Sequence, residues 1–585
     1  MTTHTPPGRP SSHRRLPPDL GASQRAGLEA ALSLARAIAP ADPDPVGIQA
    51  LPPEANDTRL KAPPPTRARG TRAVGRSGAD VGEARLLTQL RWPILIAILT
   101  LQAVLSLHLV WSNTAYSDEA AYLGAGHLEI AHFLHGASVP SFQSWFSGAP
   151  VIYPPIGAVV DSIGGLTGAR ILSLALMIGA TGLLWSTTSK LFGTRAAFFA
   201  AGLFAVLGPT QFLGALATYD ALALLMVAGS VWCVTAAREH SDSTLLLIAG
   251  IILLTVANAT KYATALFDPV VVVLAALVVA EKRGRKAALG RGGYFAAGVI
   301  AIVAVLVTLG GPLYVTGLLH TTLARAAGDT SPVLVLEHAL QWAGVLAVLA
   351  WVGVAICWRY GTKAQTLVLA TLAAAWLLAP LNQARIETIT SLHKNVDFGA
   401  WLAAPAAGYA LARLSRIARR RGVSLAAAGL IAVIVVGPLA GLGWVQASSL
   451  FRGWPDSALV IPRLQGNMQG QSGEYLAEDA DVPAYYLRAT VPWQRWSNTW
   501  YFSYTPPGGP QLTGDKAFHA AIDAHYFALI VLDDHATPST DRKITADIRH
   551  AGDYQVVAVA PSSIGHYMVW AYQPPERSDH RRGHS

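Results

Sequence analysis

The sequence contains 585 residues, of which 52% are hydrophobic and only 14% are charged, and its mean hydropathy is +0.37. These values lie outside the range of soluble chains and exclude ordinary soluble enzyme folds. The net charge is +9, but the basic residues lie in short segments between apolar runs, which argues against nucleic-acid binding. Both cysteines, Cys233 and Cys357, lie inside apolar runs, which argues against a disulfide framework or a thiolate metal site.

Residues 1–85 form the first distinct segment, which is basic and rich in Pro, Ala and Gly. It has too little apolar surface to offset the entropy cost of ordering, so we predict a disordered tail. Only residues 20–39 have the composition of a helix, which would lie on a membrane surface. The tail lacks the apolar core and cleavage site of a secretory signal, so residues 92–111 are predicted to form a retained first span.

Apolar runs of about 20 residues, the length that crosses a bilayer, recur along the chain. They predict an α-helical polytopic membrane protein with about eleven spans, near 92–111, 169–190, 195–213, 219–237, 243–260, 265–281, 293–311, 334–357, 364–381, 397–413 and 423–444. Basic loops at 190–195, 281–291, 359–363 and 413–421 all fall on one side of this arrangement, which the positive-inside preference assigns to the cytoplasm. We therefore expect a multi-pass plasma-membrane protein with a cytoplasmic N-terminus, a transmembrane domain over 86–444, and outer segments at 112–168 and 445–585.

The outer segment 112–168 is too polar to span and too apolar for a plain linker, so it predicts short helices along the membrane interface. Two adjacent carboxylates, Asp118 and Glu119, stand at its start. Asp220 lies at the outer end of the fourth span in an apolar stretch, where a carboxylate is costly and usually faces a cavity. Such residues favour a functional site, but solvated charge at a helix end, or a structural salt bridge of Asp220, for example to Arg170, would also explain them.

Four outer-face cations run against the positive-inside preference: Arg170, Lys261, His393 and Lys394. Cations set against apolar helices suit a phosphate headgroup that carries a long lipid tail. Snorkelling of single lysines toward the interface is the simpler alternative, but it explains four such residues less well.

A possible metal cluster occurs in the first outer segment, where His132 and His135 are spaced to share a helix face beside His127 and Glu129. An amphipathic interfacial helix with polar tips explains the same pattern, and we favour it. No cofactor is therefore assigned, and a divalent metal remains unassigned.

Beyond residue 444 the composition becomes more charged and more aromatic, which predicts a small extracytoplasmic α/β domain. Strand-like runs occur at 473–477, 527–532, 554–560 and 566–572, and helical stretches at 480–487 and 516–524. The first strand ends in Glu478 and Asp479, which either contact an acceptor or form an ordinary strand-to-helix turn; the turn is favoured. Asp533 and Asp534 resemble a metal-binding pair only superficially.

Several of these features together resemble the GT-C superfamily of membrane glycosyltransferases, in the branch of the protein O-mannosyltransferases and the bacterial aminoarabinose lipid A transferase. The matching features occur in the expected order over roughly residues 92–410: Asp118-Glu119, Tyr153-Pro154-Pro155, Gly168-Ala169-Arg170, Thr218-Tyr219-Asp220, Thr260-Lys261 and Leu392-His393-Lys394. One departure is Tyr153, where relatives often have lysine before the two prolines, so one phosphate contact is missing or comes from elsewhere, for example Arg325.

The resemblance implies a hexosyltransferase that moves a sugar from a polyprenyl-phosphate donor to an acceptor at the outer face, with inversion at the anomeric carbon. Asp118 would be the general base and Glu119 would orient it or bind acceptor. Donor or acceptor positioning would fall to Asp220, Tyr219 and Tyr122, and phosphate binding to Arg170, Lys261, His393 and Lys394. The acceptor, whether protein, lipid or polysaccharide, stays open.

A transporter or flippase of a lipid-linked or small anionic substrate is the alternative from another class, because intramembrane charges also mark transport paths. The unusual charges gather on one face rather than at the midplane, no inverted repeat is evident, and a folded outer domain follows the last span. These features favour the enzyme. A non-catalytic scaffold would leave the paired acids and outer cations unexplained.

Overall fold

The computed structural model describes residues 89–238, 244–420, 425–468 and 472–574. The predicted tail at 1–85, with its helix at 20–39, lies outside these residues. The described apolar part of the chain is mainly helical. Its helices are α1 Arg91–Val110, α2 Ser117–His135, α3 Tyr153–Phe192, α4 Thr194–Ala205, α5 Gly208–Leu213, α6 Tyr219–Ala236, α7 Thr244–Thr260, α8 Asp268–Thr321, α9 Pro332–Tyr360, α10 Lys363–Ala374, α11 Leu378–Arg385, α12 Leu392–Arg420 and α13 Leu425–Phe451.

Six stretches among the described residues are helical, long and apolar enough to cross a membrane. They are Arg91–Val110, Tyr153–Phe192, Tyr219–Ala236, Tyr262–Thr321, Pro332–Tyr360 and Lys363–Arg385. The prediction of a polytopic helical membrane protein is therefore confirmed, while the count of eleven crossings and their direction stay predictions.

Glycine divides the longest helices where the hydropathy pattern predicts separate segments. α8 includes residues 268–281 of the predicted span 265–281 and all of the predicted span 293–311, and Gly284 interrupts it between them with φ of 79°. Gly165 interrupts α3 in the same way, with φ of 61°, just before the predicted span at 169–190. A positive φ is the left-handed region in which glycine alone is unstrained, so each of these residues lets the chain change direction within a continuous helical run.

Small residues allow α12 to pack closely against its neighbours near the centre of the helical bundle. A side-chain carbon added at Gly353 of α9 would lie 2.2 Å from the Ala406 carbonyl oxygen of α12. One added at Gly408 of α12 would lie 2.3 Å from the Ala196 carbonyl oxygen of α4. Close backbone approach of this kind is how helices associate where lipid removes the hydrophobic drive. It fixes α12, which carries His393 and Lys394, against the rest of the bundle.

The C-terminal part folds into a mixed sheet with helices around it. Its elements are α14 Val460–Met468, β1 Glu474–Ala477, α15 Asp481–Tyr486, β2 Trp496–Asn498, β3 Ser503–Tyr504, β4 Leu512–Thr513, α16 Asp515–Asp523, β5 Phe527–Leu532, α17 Pro538–Ala551, β6 Tyr554–Pro561 and β7 His566–Tyr572. The main sheet has the order β2-β1-β5-β7-β6, in which β1 is parallel to β2 and β5, and β7 is antiparallel to β5 and β6. β3 and β4 form a separate two-stranded sheet.

The four predicted strands and the two predicted helices of this domain are all present. The sequence analysis missed α17, whose buried positions Asp541, Ile544 and Ile548 follow helical spacing within a polar segment. It also missed α14 and the short strands. The β1 and β5 strands end side by side, so the acidic residues that follow them meet at one edge of the sheet.

Candidate functional site

The three acidic residues singled out from the sequence each pair with a cation from a distant part of the chain. Asp118 Oδ2 lies 2.5 Å from Lys394 Nζ, and Glu119 Oε2 lies 2.6 Å from Arg170 Nη2. Asp220 Oδ1 pairs with Lys261 Nζ. Asp220 thus forms a salt bridge, as the alternative interpretation expected, but its partner is Lys261 and not Arg170, which pairs with Glu119.

Glu119 and Arg170 form a pair that is withdrawn from solvent. Both side chains are at most 1% exposed, and the contact has two points, because Arg170 Nε also donates to Glu119 Oε1 over 2.8 Å. The remaining N–H groups of Arg170 donate to the carbonyl oxygens of Val110, Asn113 and Thr114. All five N–H donors of Arg170 thus have partners within the protein.

Glu119 also has several hydrogen-bond partners, so the pair holds the surrounding chain in place. We name Glu119 and Arg170 the brace. The Glu119 carboxylate accepts the backbone N–H groups of Tyr116, over 2.9 Å, and Ala217, over 2.7 Å. The Tyr116 bond belongs to a capping box at the start of α2. The brace therefore fixes both the segment before α6 and the first turn of α2, which carries Asp118.

The short connection between α1 and α2 is held from the other side by the last residue of α13 and by residues after it. Asn113 Nδ2 donates to the carbonyl oxygen of Phe451, and Trp454 Nε1 donates to that of Thr114. The Ala115 N–H donates over 2.8 Å to the hydroxyl oxygen of Tyr486 in α15. The C-terminal domain therefore helps to fix the residues that lead into Asp118.

Asp118 differs from the other two acids because it reaches solvent. Its side chain is 35% exposed, whereas that of its partner Lys394 is 4% exposed. Among the residues that the structure describes, none donates a hydrogen bond to its second carboxylate oxygen. The Tyr116 ring lies 5.8 Å from Lys394 Nζ, and the Asp118 carboxylate, together with burial, raises the pKa of Tyr116 to about 12. The tyrosine stays protonated at neutral pH, and Asp118 has an accessible oxygen able to accept a proton.

Asp220 and Lys261 form a second ion pair close to the first, since Lys394 interacts electrostatically with both of them. Asp220 is fully buried, and its second oxygen accepts a hydrogen bond of 2.7 Å from the Thr218 hydroxyl. Lys261 Nζ lies 5.9 Å from the centre of the Tyr219 ring. The ring centres of Tyr219 and Tyr122 are 4.5 Å apart. The two tyrosines named from the sequence therefore line the same buried region as this ion pair.

His393 stands among aromatic rings rather than carboxylates. Its ring centre lies 4.8 Å from that of Phe212 and 5.6 Å from that of Trp342, both edge-on. One turn further along α12, Asp397 is fully buried, with one oxygen accepting from the Thr210 hydroxyl over 2.7 Å and the other without a partner. The sequence analysis missed Asp397, although an acid in an apolar run signals a buried polar site by the rule applied to Asp220.

The histidines of the first outer segment do not gather around a common point. His127 Nε2 lies 2.7 Å from a carboxylate oxygen of Asp161, and His132 Nδ1 bonds to the Ala137 carbonyl oxygen. Within the described ranges no group of three or more His, Cys, Asp or Glu residues is arranged to hold a metal ion.

Asp161 instead ties this segment to the C-terminal domain. It is buried in α3, and it also accepts hydrogen bonds from the Tyr485 hydroxyl, over 2.5 Å, and from Arg488, over 3.1 Å. The sequence analysis passed over Asp161 inside an apolar run.

Three acids meet where β1 and β5 end, and we name Glu478, Asp533 and Asp541 the carboxyl cluster. The Glu478 carboxylate accepts backbone N–H groups from Asp533, His535 and Thr537. Burial alone would raise the pKa of Glu478, but these bonds and those from the neighbouring carboxyl groups lower it. Burial and the Glu478 carboxylate raise the pKa of Asp533 to about 9 and that of Asp541 to about 8. Glu478 thus holds the charge while its two neighbours hold protons.

We expect Asp533→Asn to stabilise the protein above neutral pH. Because the folded-state pKa of Asp533 is above its ordinary value of 3.8, folding retains its proton and the free energy of unfolding falls as pH rises from about 4 to about 9. Asparagine keeps an uncharged donor toward Glu478, so the variant should gain about 1 kcal/mol at pH 8, or about 2–4 °C in thermal midpoint. The exposed neighbour Asp534 supplies the control Asp534→Asn. Parallel midpoint curves for wild type and Asp533→Asn from pH 5 to 9 would contradict the assignment.

A family profile described as dolichyl-phosphate-mannose-protein mannosyltransferase matches residues 158–310. The crystal structure of ArnT from Cupriavidus metallidurans bound to undecaprenyl phosphate is similar with a TM-score of 0.50 and 15% identity, covering 84% of this chain and 98% of that one. The apo oligosaccharyltransferase of Archaeoglobus fulgidus is similar with a TM-score of 0.53 and 14% identity, covering 83% and 75%. The chain has a GT-C fold.

A further solved structure with the GT-C fold is the oligosaccharyltransferase AglB from Archaeoglobus fulgidus in complex with an inhibitory peptide and a dolichol-phosphate, with a TM-score of 0.51 and 14% identity, covering 83% of this chain and 74% of that one. No curated protein sequence matches the chain. The GT-C membrane proteins to which it is similar are glycosyltransferases, and the resemblance stated from the sequence is confirmed at the level of fold.

Proposed function

We propose that the protein transfers a sugar from a polyprenyl-phosphate carrier to an acceptor at the extracytoplasmic face of the plasma membrane. The observation that carries this proposal is the charge cluster of Asp118, Lys394, Asp220 and Lys261, in which one acid reaches solvent while both lysines are buried. Two solved structures with this fold contain undecaprenyl phosphate or dolichol-phosphate, which supports a lipid-phosphate donor. The basic loops support an extracytoplasmic site and a cytoplasmic N-terminus.

The donor phosphate would bind at Lys394 and Lys261. Both lysines are at most 5% exposed, and each is neutralised by a carboxylate, so the cluster carries no net charge when both acids are ionised. A phosphate that approaches from the lipid side would compete with Asp118 for Lys394, because Asp118 is the exposed member of its pair. His393 would support the phosphate from the same turn of α12.

Asp118 would then act as the general base. Its carboxylate takes the proton of the acceptor hydroxyl as that oxygen bonds to the anomeric carbon of the sugar. The bond from the anomeric carbon to the phosphate oxygen breaks, its electron pair goes to that oxygen, and polyprenyl phosphate leaves against Lys394 and Lys261. Attack from the side opposite the phosphate inverts the anomeric configuration.

The remaining predicted residues take supporting roles in this proposal. Arg170 is assigned to positioning rather than phosphate binding, because its donors are all occupied by Glu119 and by the residues that lead into α2. Glu119 shares that role. Asp220 holds Lys261, and Tyr219 and Tyr122 shape the wall of the sugar site beside it.

Undecaprenyl phosphate binding to the purified protein in nanodiscs tests the donor side. We expect Lys394→Met to weaken the Kd at least tenfold, since it removes a desolvated charge partner of the phosphate. Lys261→Met is made together with Asp220→Asn, because Lys261→Met alone would leave a buried unpaired carboxylate and unfold the protein. Lys363→Met, at an exposed lysine of α10, is the control and should bind as wild type does. Unchanged binding in Lys394→Met, at an unchanged thermal midpoint, would contradict the donor site.

A further inference from the structure

A cleft runs beside Asp118 between the first outer segment and the C-terminal domain. The enclosed space within it is about 30 Å³, and the empty space is about 460 Å³ when its opening to solvent is counted. One wall comes from the start of the first outer segment and from the residues that follow α13, and the other from the sheet of the C-terminal domain. Ser117, Trp454 and Ser457 line the first wall, and Asp479, Asp533 and Tyr567 line the second. Ser117 directly precedes Asp118, and its hydroxyl lies 3.5 Å from Asp479 Oδ1, so the cleft leads to the proposed base.

One polar side chain in the cleft lacks a partner. Ser457 is 1% exposed, it lines the cleft, and its hydroxyl makes no hydrogen bond within the described chain. Its backbone N–H is bound to the Thr114 hydroxyl over 2.8 Å, so the residue is held in place. A buried hydroxyl without a partner carries a free-energy cost that a bound hydroxyl or water would remove. The cleft therefore offers a hydrogen-bonding position that the protein itself leaves open.

The cleft is acidic, whereas on the donor side of Asp118 each buried lysine is balanced by a carboxylate. Its described lining includes Glu478, Asp479 and Asp533 and contains no lysine, arginine or histidine. Burial and the adjacent Glu478 raise the pKa of Asp479 to about 6, so it is mainly ionised at neutral pH, as is Glu478. Asp533 keeps its proton and donates it to Glu478. An anionic acceptor would be repelled here, whereas a neutral group with several hydroxyls can donate to the Asp479 carboxylate.

Two exposed aromatic side chains border this acidic wall. Trp500 is 54% exposed and Tyr501 is 88% exposed, and the Trp500 side chain hydrogen-bonds to the Asp479 carboxylate. The Asn498 side chain accepts the backbone N–H groups of both, which fixes the turn. Aromatic faces stack on the C–H surfaces of sugar rings while neighbouring carboxylates accept their hydroxyls, a combination that an extended peptide does not need.

We propose that this cleft is the acceptor site and that the acceptor is an uncharged saccharide, bound by Asp479, Ser457 and Trp500. The proposal rests on the proposed function, because it takes Asp118 as the base that the cleft serves. Asp479 is a specificity-determining residue in this arrangement: it accepts a saccharide hydroxyl and excludes acidic acceptors. Trp500 supplies the stacking face.

The test is saccharide binding to the full-length protein in nanodiscs, measured by saturation-transfer NMR. The probes are mannotetraose, maltotetraose and an arabinan tetramer as neutral acceptors, tetragalacturonate as their anionic counterpart, and a serine- and threonine-rich peptide. We expect at least one neutral probe to bind at least tenfold more tightly than tetragalacturonate. Trp500→Ala should weaken that binding at least tenfold. Asp479→Asn should reduce the difference in affinity between the neutral probe and tetragalacturonate. Trp358→Ala, at a tryptophan of α9 that is 81% exposed, is the control and should bind each probe as wild type does.

Tetragalacturonate binding as tightly as the neutral probes would overturn the proposal. So would failure of all three neutral probes, or binding of the peptide alone. Undecaprenyl phosphate binding is measured on the same samples. A protein that binds a neutral saccharide but not undecaprenyl phosphate would contradict the donor site and support the saccharide site. Retained fold in Asp479→Asn and Trp500→Ala is checked by the thermal midpoint.

Discussion

Replacing Asp118 with asparagine is expected to reduce sugar transfer by about 10²–10⁴-fold in kcat, the contribution of a positioned general base. This corresponds to about 3–5 kcal/mol of transition-state stabilisation. Asparagine keeps an oxygen for Lys394, so the shape of the site and the binding of undecaprenyl phosphate should both be preserved. The measurement is transfer of radiolabel from polyprenyl-phosphate sugars, with donor binding followed in parallel.

The control for this experiment is Asp329→Asn, which changes an exposed carboxylate between α8 and α9. It should transfer sugar at the wild-type rate. Transfer by Asp118→Asn within a factor of about three of wild type would remove Asp118 from the mechanism. Loss of transfer together with loss of donor binding would show a binding role rather than a base.

Replacing Arg170 with methionine is expected to destabilise the protein by about 3–5 kcal/mol, the cost of leaving a buried charge without its partner. The Glu119 carboxylate would stay buried, and the carbonyl oxygens of Val110, Asn113 and Thr114 would lose their donor. Thermal unfolding in detergent measures this as a fall in the midpoint. Arg170→Lys should recover only part of the loss, because an ammonium has three donors and cannot reproduce the guanidinium fork.

The same substitution separates the two roles that Arg170 has been given. If Arg170 positions the chain, Arg170→Met should have a lower thermal midpoint in the absence of any lipid. If Arg170 binds phosphate, the variant should bind undecaprenyl phosphate more weakly at an unchanged midpoint. Arg359→Met, at an exposed arginine near the end of α9, controls for loss of a positive charge. A wild-type midpoint in Arg170→Met would contradict the brace.

Much of the helical architecture could be predicted because the bilayer imposes a length and a composition on each segment. The predicted span at 92–111 corresponds to α1, and that at 219–237 to α6, within one residue at each end. The predicted span at 195–213 is broken instead, because Pro209 at the start of α5 begins a new helix. The helix α17 was missed because its exposed charges outnumber its two buried isoleucines, so no hydrophobic run marks it.

The sequence singled out the charged residues of the candidate site, but it did not show which of them pair with each other. Asp118, Asp220, Lys261 and Lys394 were recognised because charge is rare at apolar helix ends. Which acid meets which cation depends on how helices far apart in the chain pack, and Asp118 and Lys394 are separated by 276 residues. The sequence carries no local signal for such a contact, so Arg170 was given to the phosphate when the fold gives it to Glu119.

Release of sugar from the lipid carrier distinguishes a transferase from a flippase. Proteoliposomes that contain the protein are incubated with undecaprenyl- and dolichyl-phosphate carrying radiolabelled mannose, glucose or arabinose, and free polyprenyl phosphate and non-lipid label are both followed. We expect label to leave at least one of these lipids with wild type and to stay on the lipid with Asp118→Asn. Movement of intact lipid-linked sugar across the bilayer, without cleavage and equally in both proteins, would contradict this expectation and identify a flippase.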